Sequence, residues 1–264
     1  MKKKRKMWDR IITLLLLSVF LYAALQIGQI LFGYYDNQKV LAEVQEIHRD
    51  HQSKSSETIQ AAEAGSESET KLESETETRS SFDHLQEINP DMIGWLSIED
   101  TPINYPILQA SDNDYYLDRN YKEEQTDAGS IFMDYRNNLE SMSANTIVYG
   151  HRMKDNSMFG SLRKYEDEAF YKDHQQIQFD TIYGSYTAEI FAVYTTTTDF
   201  DYIQTDFSSA GGYEDLLQEI QEKSIYSTDV EIDADDQILT LSTCDSIWQP
   251  KQNRFVVHAK LTKQ

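Results

Sequence analysis

The sequence predicts a mostly-β fold, a closed eight-stranded barrel, set behind an N-terminal transmembrane helix. Three observations carry that reading. Eight short runs rich in β-branched and aromatic residues recur after residue 82. Only two helical inserts interrupt them. A charge-free apolar run stands near the start of the chain. Many short strands with few long helices favour closure, because a closed sheet exposes no edge.

The elements follow in order. Residues 1–10 form a basic tail with Lys2, Lys3, Lys4, Arg5, Lys6 and Arg10 against the single acid Asp9. Residues 11–33 read as a membrane anchor, since Ile11 to Phe32 are 22 residues without a charge. At a rise of ~1.5 Å per residue they make a helix of roughly 33 Å, enough to cross a hydrocarbon core. Basic residues before the run and acidic bulk after it orient the N-terminus to the cytoplasm and the remainder outside. A cleaved signal peptide is the competing reading, with Ala23-Ala24 as its small residues. The apolar run continues past them through Leu25, Ile27 and Ile30, which favours an uncleaved anchor.

Outside the tail the chain carries 18 basic and 44 acidic residues, a net of −26. Such a surface repels polyanions, which excludes nucleic acid as a partner. Residues 34–81 read as a juxtamembrane helix and a spacer. Asp36 to His51 has Val40, Leu41, Val44 and Ile47 at helical spacing, a short stripe open to weak self-association. From Gln52 to Ser81 the composition is Ser, Glu, Thr and Ala, which predicts a disordered spacer.

The folded domain spans residues 82–264. Phe82, Leu85 and Ile88 give a short helix ending at Asn89-Pro90. Strands are predicted over Ile93–Ile98, Ile103–Leu108, Gly129–Met133, Thr146–Gly150, Gln176–Ile182, Tyr186–Thr195, Gln237–Thr243 and Arg254–Leu261. The helical inserts fall at Met158–Tyr171 and Tyr213–Lys223.

Chemistry concentrates at the end of the chain. Cys244 is the only cysteine, so it has no disulfide partner within the chain. A lone thiol is either buried and inert or kept for reaction. If the last two strands form a hairpin across Asp245–Asn253, Cys244 ends one strand where Arg254 begins its neighbour. A guanidinium there favours the thiolate and stabilises an oxyanion or holds a substrate carbonyl. In the last strand Phe255, Val257, Ala259 and Leu261 read as the core face, and Arg254, Val256, His258 and Lys260 as the opposite one.

A cysteine nucleophile also needs a proton carrier. Of the six histidines, His48, His51 and His84 lie in poor contexts, His174 in a polar loop, and His258 ~13 Å along the strand from Arg254. His151 follows Thr146-Ile147-Val148-Tyr149-Gly150 at a strand-to-loop transition, where glycine permits an unusual backbone.

These residues resemble a known family. Tyr149-Gly150-His151-Arg152-Met153 with Ser157-Met158-Phe159-Gly160-Ser161-Leu162 is similar to the histidine motif of class B sortases, the cysteine transpeptidases of Gram-positive bacteria. Thr240-Leu241-Ser242-Thr243-Cys244 resembles the sortase TLxTC signature, and Arg254 to Leu261 resembles the arginine strand. The resemblance spans roughly Phe82 to Leu261 and implies the eight-stranded sortase barrel. It implies that Cys244 attacks a backbone carbonyl of a C-terminal sorting signal to give a thioester. His151 then serves the departing and incoming amines, and Arg254 binds substrate or stabilises the tetrahedral intermediate. Thr243 and Ser242 are expected at substrate-binding positions. The helix Tyr213–Lys223 matches the class B insertion.

No cofactor is implied, and no metal, since an acidic calcium cluster of the class A kind is not assignable. The implied partners are secreted proteins bearing sorting signals and an amine acceptor. That acceptor is peptidoglycan for surface-protein anchoring or a pilin lysine for polymerisation. No Asp-Pro-type lid precedes the barrel, which favours anchoring. Two further readings compete. One is a membrane-tethered binding module with a buried, inert Cys244. The other is a Cys/His metal site using Cys244, His151 and His258, which lack close ligand spacing.

Overall fold

A computed structural model describes residues 2–63, 82–207, 210–244 and 253–264. Residues 1–40 and 41–264 form two units. The first is helical, the N-terminal part of α1 (Lys2–Glu63), and α1 is the one described helix long and apolar enough to cross a membrane, over Trp8–Ser53. Its apolar side chains from Ile11 to Phe32 are exposed.

The second unit holds the barrel. Its strands are β1 (Met92–Ser97), β2 (Asn104–Leu108), β3 (Ile131–Met133), β4 (Asn145–His151), β5 (Gln176–Thr181), β6 (Gly184–Thr196), β7 (Ile238–Cys244) and β8 (Arg254–Lys263). They close in the order β1-β2-β3-β4-β7-β8-β6-β5. The β2–β3 and β4–β7 pairs are parallel and the others antiparallel. The sheet is therefore the closed barrel expected, with the last two strands as an antiparallel hairpin.

Strand burial follows from residue pattern. In β5, Ile177, Phe179 and Thr181 are buried while Gln176 and Gln178 are exposed, the period of two of a one-sided strand. The interior packs Leu96, Ile107, Val148, Leu239, Leu241 and Val257. A second core lies outside the barrel. There α4 (Ala210–Lys223) lays Tyr213, Leu216, Leu217 and Ile220 over Phe191, Tyr194, Ile238 and Val256. Burying each such aliphatic side chain stabilises the fold by about 1.5–3 kcal/mol. This layer covers the β8 face expected to lie opposite the core, so Val256 and His258 are fully buried.

Two helical expectations change. The insert read as Met158–Tyr171 is a 3₁₀ helix, Gly160–Glu166, followed by α3 (Glu168–Asp173). Asp167 breaks them with an extended backbone, and its carboxylate accepts the amides of Ala169 (2.9 Å) and Phe170 (3.1 Å) as an N-cap. The short first helix is α2 (Asp83–Gln86).

The juxtamembrane stretch Asp36–His51 is helical as read, while the spacer after it differs in part. Helix α1 runs on to Glu63, into the stretch read as disordered, because Gln60, Ala61, Ala62 and Glu63 are strong helix formers. The rest of that stretch, 64–81, lies outside the described residues. The stripe offered for self-association is covered within the second unit, where Val44 is buried and Leu41 packs on the core. His48 stacks on Trp95 at 4.0 Å, and Lys122 pairs with Glu43 at 2.8 Å. Burial, then the neighbouring His84 and His51, push the His48 pKa down to about 4.

Candidate active site

Strand pairing brings the three predicted reactive residues to one end of the barrel. Strands β4 and β7 run parallel with Gly150 opposite Thr243 and His151 opposite Cys244. On the other side of β7, the antiparallel ladder with β8 reaches Ser242 opposite Val256. Two residues further in the same register, Cys244 stands opposite Arg254. The Thr243 hydroxyl supports that continuation by accepting the Phe255 N–H at 3.0 Å. Adjacent strands lie ~4.8 Å apart, so the cysteine position is flanked by histidine on one side and arginine on the other. Arg254 is half-buried, and its neighbour on β6 is Thr196. The connection 245–252, with Asp245 and Trp248, lies outside the described residues.

His151 is held from two directions. The chain beyond it doubles back, with the Phe159 N–H donating to the His151 carbonyl at 2.9 Å and a bridge between Arg152 and Met158. Tyr105 accepts the Met158 amide at 3.0 Å and pins the returning chain. The imidazole Nε2 lies 2.6 Å from the carbonyl oxygen of Leu117. A carbonyl only accepts, so Nε2 carries the proton and Nδ1 is the basic nitrogen of the neutral ring.

That carbonyl is fixed in turn. Leu117 ends a 3₁₀ turn, Tyr115–Leu117, and Asp112 caps the turn by accepting the Asp114 and Tyr115 amides at 2.9 Å. Gly129 presses against the turn with φ +57°; a Cβ there would meet the Leu117 oxygen at 2.5 Å. The turn is the element that sequence reading missed. It acts through main-chain atoms, and only Gly129, read as the first residue of a strand, marked the place. Gly150 needs no unusual φ; it is small because a Cβ would sit 2.4 Å from Ile131 Cδ1 and 2.8 Å from the Phe159 ring.

The two flanking candidates are buried. The Ser242 hydroxyl shares a hydrogen bond with Tyr202 Oη at 2.8 Å, and the Thr243 hydroxyl is engaged with Phe255. His258, weighed as a metal ligand, has both ring nitrogens bonded, to Tyr194 Oη at 2.6 Å and Thr240 Oγ1 at 2.8 Å. Burial lowers its pKa to about 3 and keeps it neutral. Asp134 is buried too. Burial alone would raise its carboxyl, but hydrogen bonds from Arg136, Tyr149 and Asn113 outweigh that and hold it below the usual range.

A barrel whose open rim gathers imidazole, cysteine and guanidinium positions is that of a cysteine transpeptidase. The sortase domain model matches residues 96–262. The sequence is 43% identical to sortase B of Listeria monocytogenes over 250 residues, covering 95% of this chain and 95% of that protein. It is 42% identical to sortase B of Staphylococcus aureus over 185 residues, 70% of this chain and 76% of that one. The fold superposes on a Bacillus anthracis protein described as similar to sortase B, with TM-score 0.74 and 52% identity, covering 88% of this chain and 98% of that one. It also superposes on a Staphylococcus aureus sortase B–substrate complex, with TM-score 0.76 and 36% identity, covering 86% and 97%. The chain belongs to the sortase family and, within it, to class B.

Proposed function

We propose that this sortase attaches secreted proteins to peptidoglycan from a single-pass anchor, with its N-terminus in the cytoplasm and its barrel outside. The Cys244 thiolate attacks the backbone carbonyl carbon at the cleavage point of a C-terminal sorting signal. The C–N bond breaks, and an imidazolium proton from His151 goes to the departing amine, leaving a thioester. An incoming amine then attacks that carbonyl, the C–S bond breaks, and His151 takes the proton of the nucleophile. The Arg254 guanidinium balances the oxyanion in both tetrahedral intermediates. Transfer prevails over hydrolysis when the amine reaches the thioester before water does.

The observation supporting these roles is the shared register of His151, Cys244 and Arg254 across β4, β7 and β8. The Leu117 carbonyl supports Nδ1 as the nitrogen that exchanges the proton. The buried Ser242 and Thr243 hydroxyls make these two residues supports of the cysteine strand, leaving their main chain to meet substrate. The anchor reading rests on the apolar span Ile11–Phe32 and the basic tail before it.

Mass spectrometry of the chain mixed with a library of sorting-signal peptides tests the reaction. An acyl adduct on Cys244, discharged by a peptidoglycan-type amine in preference to a pilin-type lysine, is expected. Adduct-free protein that leaves every peptide intact would defeat the reaction; preference for the lysine would reassign the acceptor to pilin assembly.

A further inference from the structure

The segment after β6 leaves the barrel beside Arg254, since Thr196 is the β6 partner of that residue. It comes back to β7 at Tyr202, whose hydroxyl meets Ser242, two residues before Cys244. The segment thus bounds the rim that carries the reactive residues. Three consecutive main-chain carbonyls in it are taken by side chains from elsewhere. Asn145 Nδ2 donates to the Tyr202 oxygen at 3.0 Å and the Gln204 oxygen at 2.9 Å. Arg136 Nη2 donates to the Ile203 oxygen at 3.0 Å.

Each staple is itself locked. Both Nδ2 protons of Asn145 go to carbonyls, so its Oδ1 must accept, and the Thr240 hydroxyl donates to it at 2.6 Å. With that proton spent, Thr240 Oγ1 accepts from His258 Nδ1, and His258 Nε2 accepts from the Tyr194 hydroxyl. Every donor from Tyr194 to the segment therefore points one way, through side chains that are all buried. Arg136 is aimed by a two-pronged pair with the buried Asp134, Nε to Oδ1 at 2.8 Å and Nη2 to Oδ2 at 2.7 Å. Tyr149 and Asn113 hold the other approaches to that carboxylate.

We infer that Asn145 and Arg136 are positioning residues of the transpeptidase site, which fix the Tyr202–Gln204 wall of the acyl-donor groove and so set donor affinity rather than the rate of bond breaking. The inference rests on the reaction proposed above. Neither residue touches the reacting atoms. They shape where a donor peptide lies against the rim, a task for rigid backbone that free carbonyls on a long loop would not perform.

The test uses the full chain in detergent micelles with a cleavable sorting-signal peptide. Asn145→Ala and Arg136→Gln are expected to raise KM about fivefold each, the scale of one or two lost hydrogen bonds, with kcat within about twofold. Arg136→Lys should recover part of the affinity. Hydrogen exchange at residues 199–207 should quicken in both variants.

Asn137→Ala is the control for a general structural effect. Asn137 is an equally buried amide, bonded to the Asn145 carbonyl at 2.7 Å and to the Ile147 amide at 2.8 Å, and it makes no bond to the segment. It should lower thermal stability while leaving KM and the exchange of 199–207 unchanged. Unchanged KM in Arg136→Gln, or the same KM rise in Asn137→Ala, would overturn the inference while wild-type turnover keeps the reaction standing. A wild-type chain that forms no acyl adduct removes both.

Discussion

Lowering the pH from 7 to 5 should weaken the fold through His258. This imidazole is fully buried, and burial takes its pKa from 6.5 to about 3. The sign follows from which state binds the proton. The unfolded chain protonates His258 as pH falls through 6.5, whereas the folded chain does so only near 3. Its contribution is thus complete above 6.5 and lost progressively as pH falls toward 3. At pH 5 the loss is about 2 kcal/mol relative to pH 7, from ~1.4 kcal/mol per pH unit below 6.5. His48, held at about 4, acts in the same direction until pH reaches that value. Asp134, its carboxyl likewise held below the usual 3.8, acts in the same direction in a lower window, so its contribution stays intact down to that region and is lost only below it.

The acidic surface complicates a single-protein comparison, because partial neutralisation relieves self-repulsion as pH falls. The decisive quantity is therefore a difference between proteins. Urea unfolding of the fragment 34–264, followed by tryptophan fluorescence at both pH values, supplies it. His258→Gln keeps a neutral side chain and removes the titration. The wild type should lose about 2 kcal/mol more than this variant between pH 7 and 5, roughly 1 M in urea midpoint for m near 2 kcal/mol/M. Equal losses in the two proteins would refute the reasoning, since the buried ring would then not be the group that takes up the proton on unfolding.

Further outcomes are open to direct measurement. Cys244→Ala should form no acyl adduct with a sorting-signal peptide and keep the far-UV spectrum of the wild type. His151→Ala and Arg254→Ala should each lower turnover at least ~10²-fold, the scale for losing an acid–base or oxyanion group. Gly129→Ala should cost ~1–2 kcal/mol of stability for a non-glycine residue at φ +57°. It should also lower kcat, because the new methyl displaces the Leu117 carbonyl that holds His151. Measuring kcat alongside thermal unfolding tells this apart from simple destabilisation, since kcat should stay low at temperatures where the variant is fully folded. Deleting 64–81 should leave turnover of a soluble peptide unchanged in steady-state assays.

The strands were legible because their pattern is local. All eight fall within a few residues of the runs of Val, Ile, Tyr and Phe that predicted them, and Cys244 and Arg254 end and begin strands as expected. The His151 position was legible through its apolar run and the turn after it. What lay beyond the sequence is non-local. The parallel pairing of β4 with β7 joins segments about ninety residues apart, and no periodicity announces it. His258 read only as a residue on the face opposite the core, because a strand cannot show that α4, far back in the chain, will cover it. Leu117 was invisible for another reason, since its contribution is a carbonyl that every residue owns. The run 52–63 was misread from composition. Its Ser and Thr masked a helix-forming Gln-Ala-Ala-Glu end that continues a helix already nucleated, and extension needs far less than initiation.

The parallel β4–β7 pair also accounts for the economy of the site. A hairpin partner for β7 on that side would have had to turn within a few residues of Cys244, crowding the rim. A parallel neighbour instead ends at the same rim in the same direction, so His151 arrives beside Cys244 with its own following loop free to fold back through Met158 and Phe159. The antiparallel partner β8 does the complementary thing, starting at the rim and delivering Arg254 as its first residue. Two strand ends and one strand start therefore meet without any insertion into the barrel wall. Deeper along the same strands, Thr240 on β7 stands opposite His258 on β8 and reaches diagonally to Asn145 on β4, which stands opposite Ile238 two residues before Thr240. The ladder that aligns the reactive residues at the rim thus aligns the polar chain that holds the Tyr202–Gln204 wall. A one-residue slip of β7 would misplace both at once, so register, more than any single contact, is the quantity this barrel has to protect.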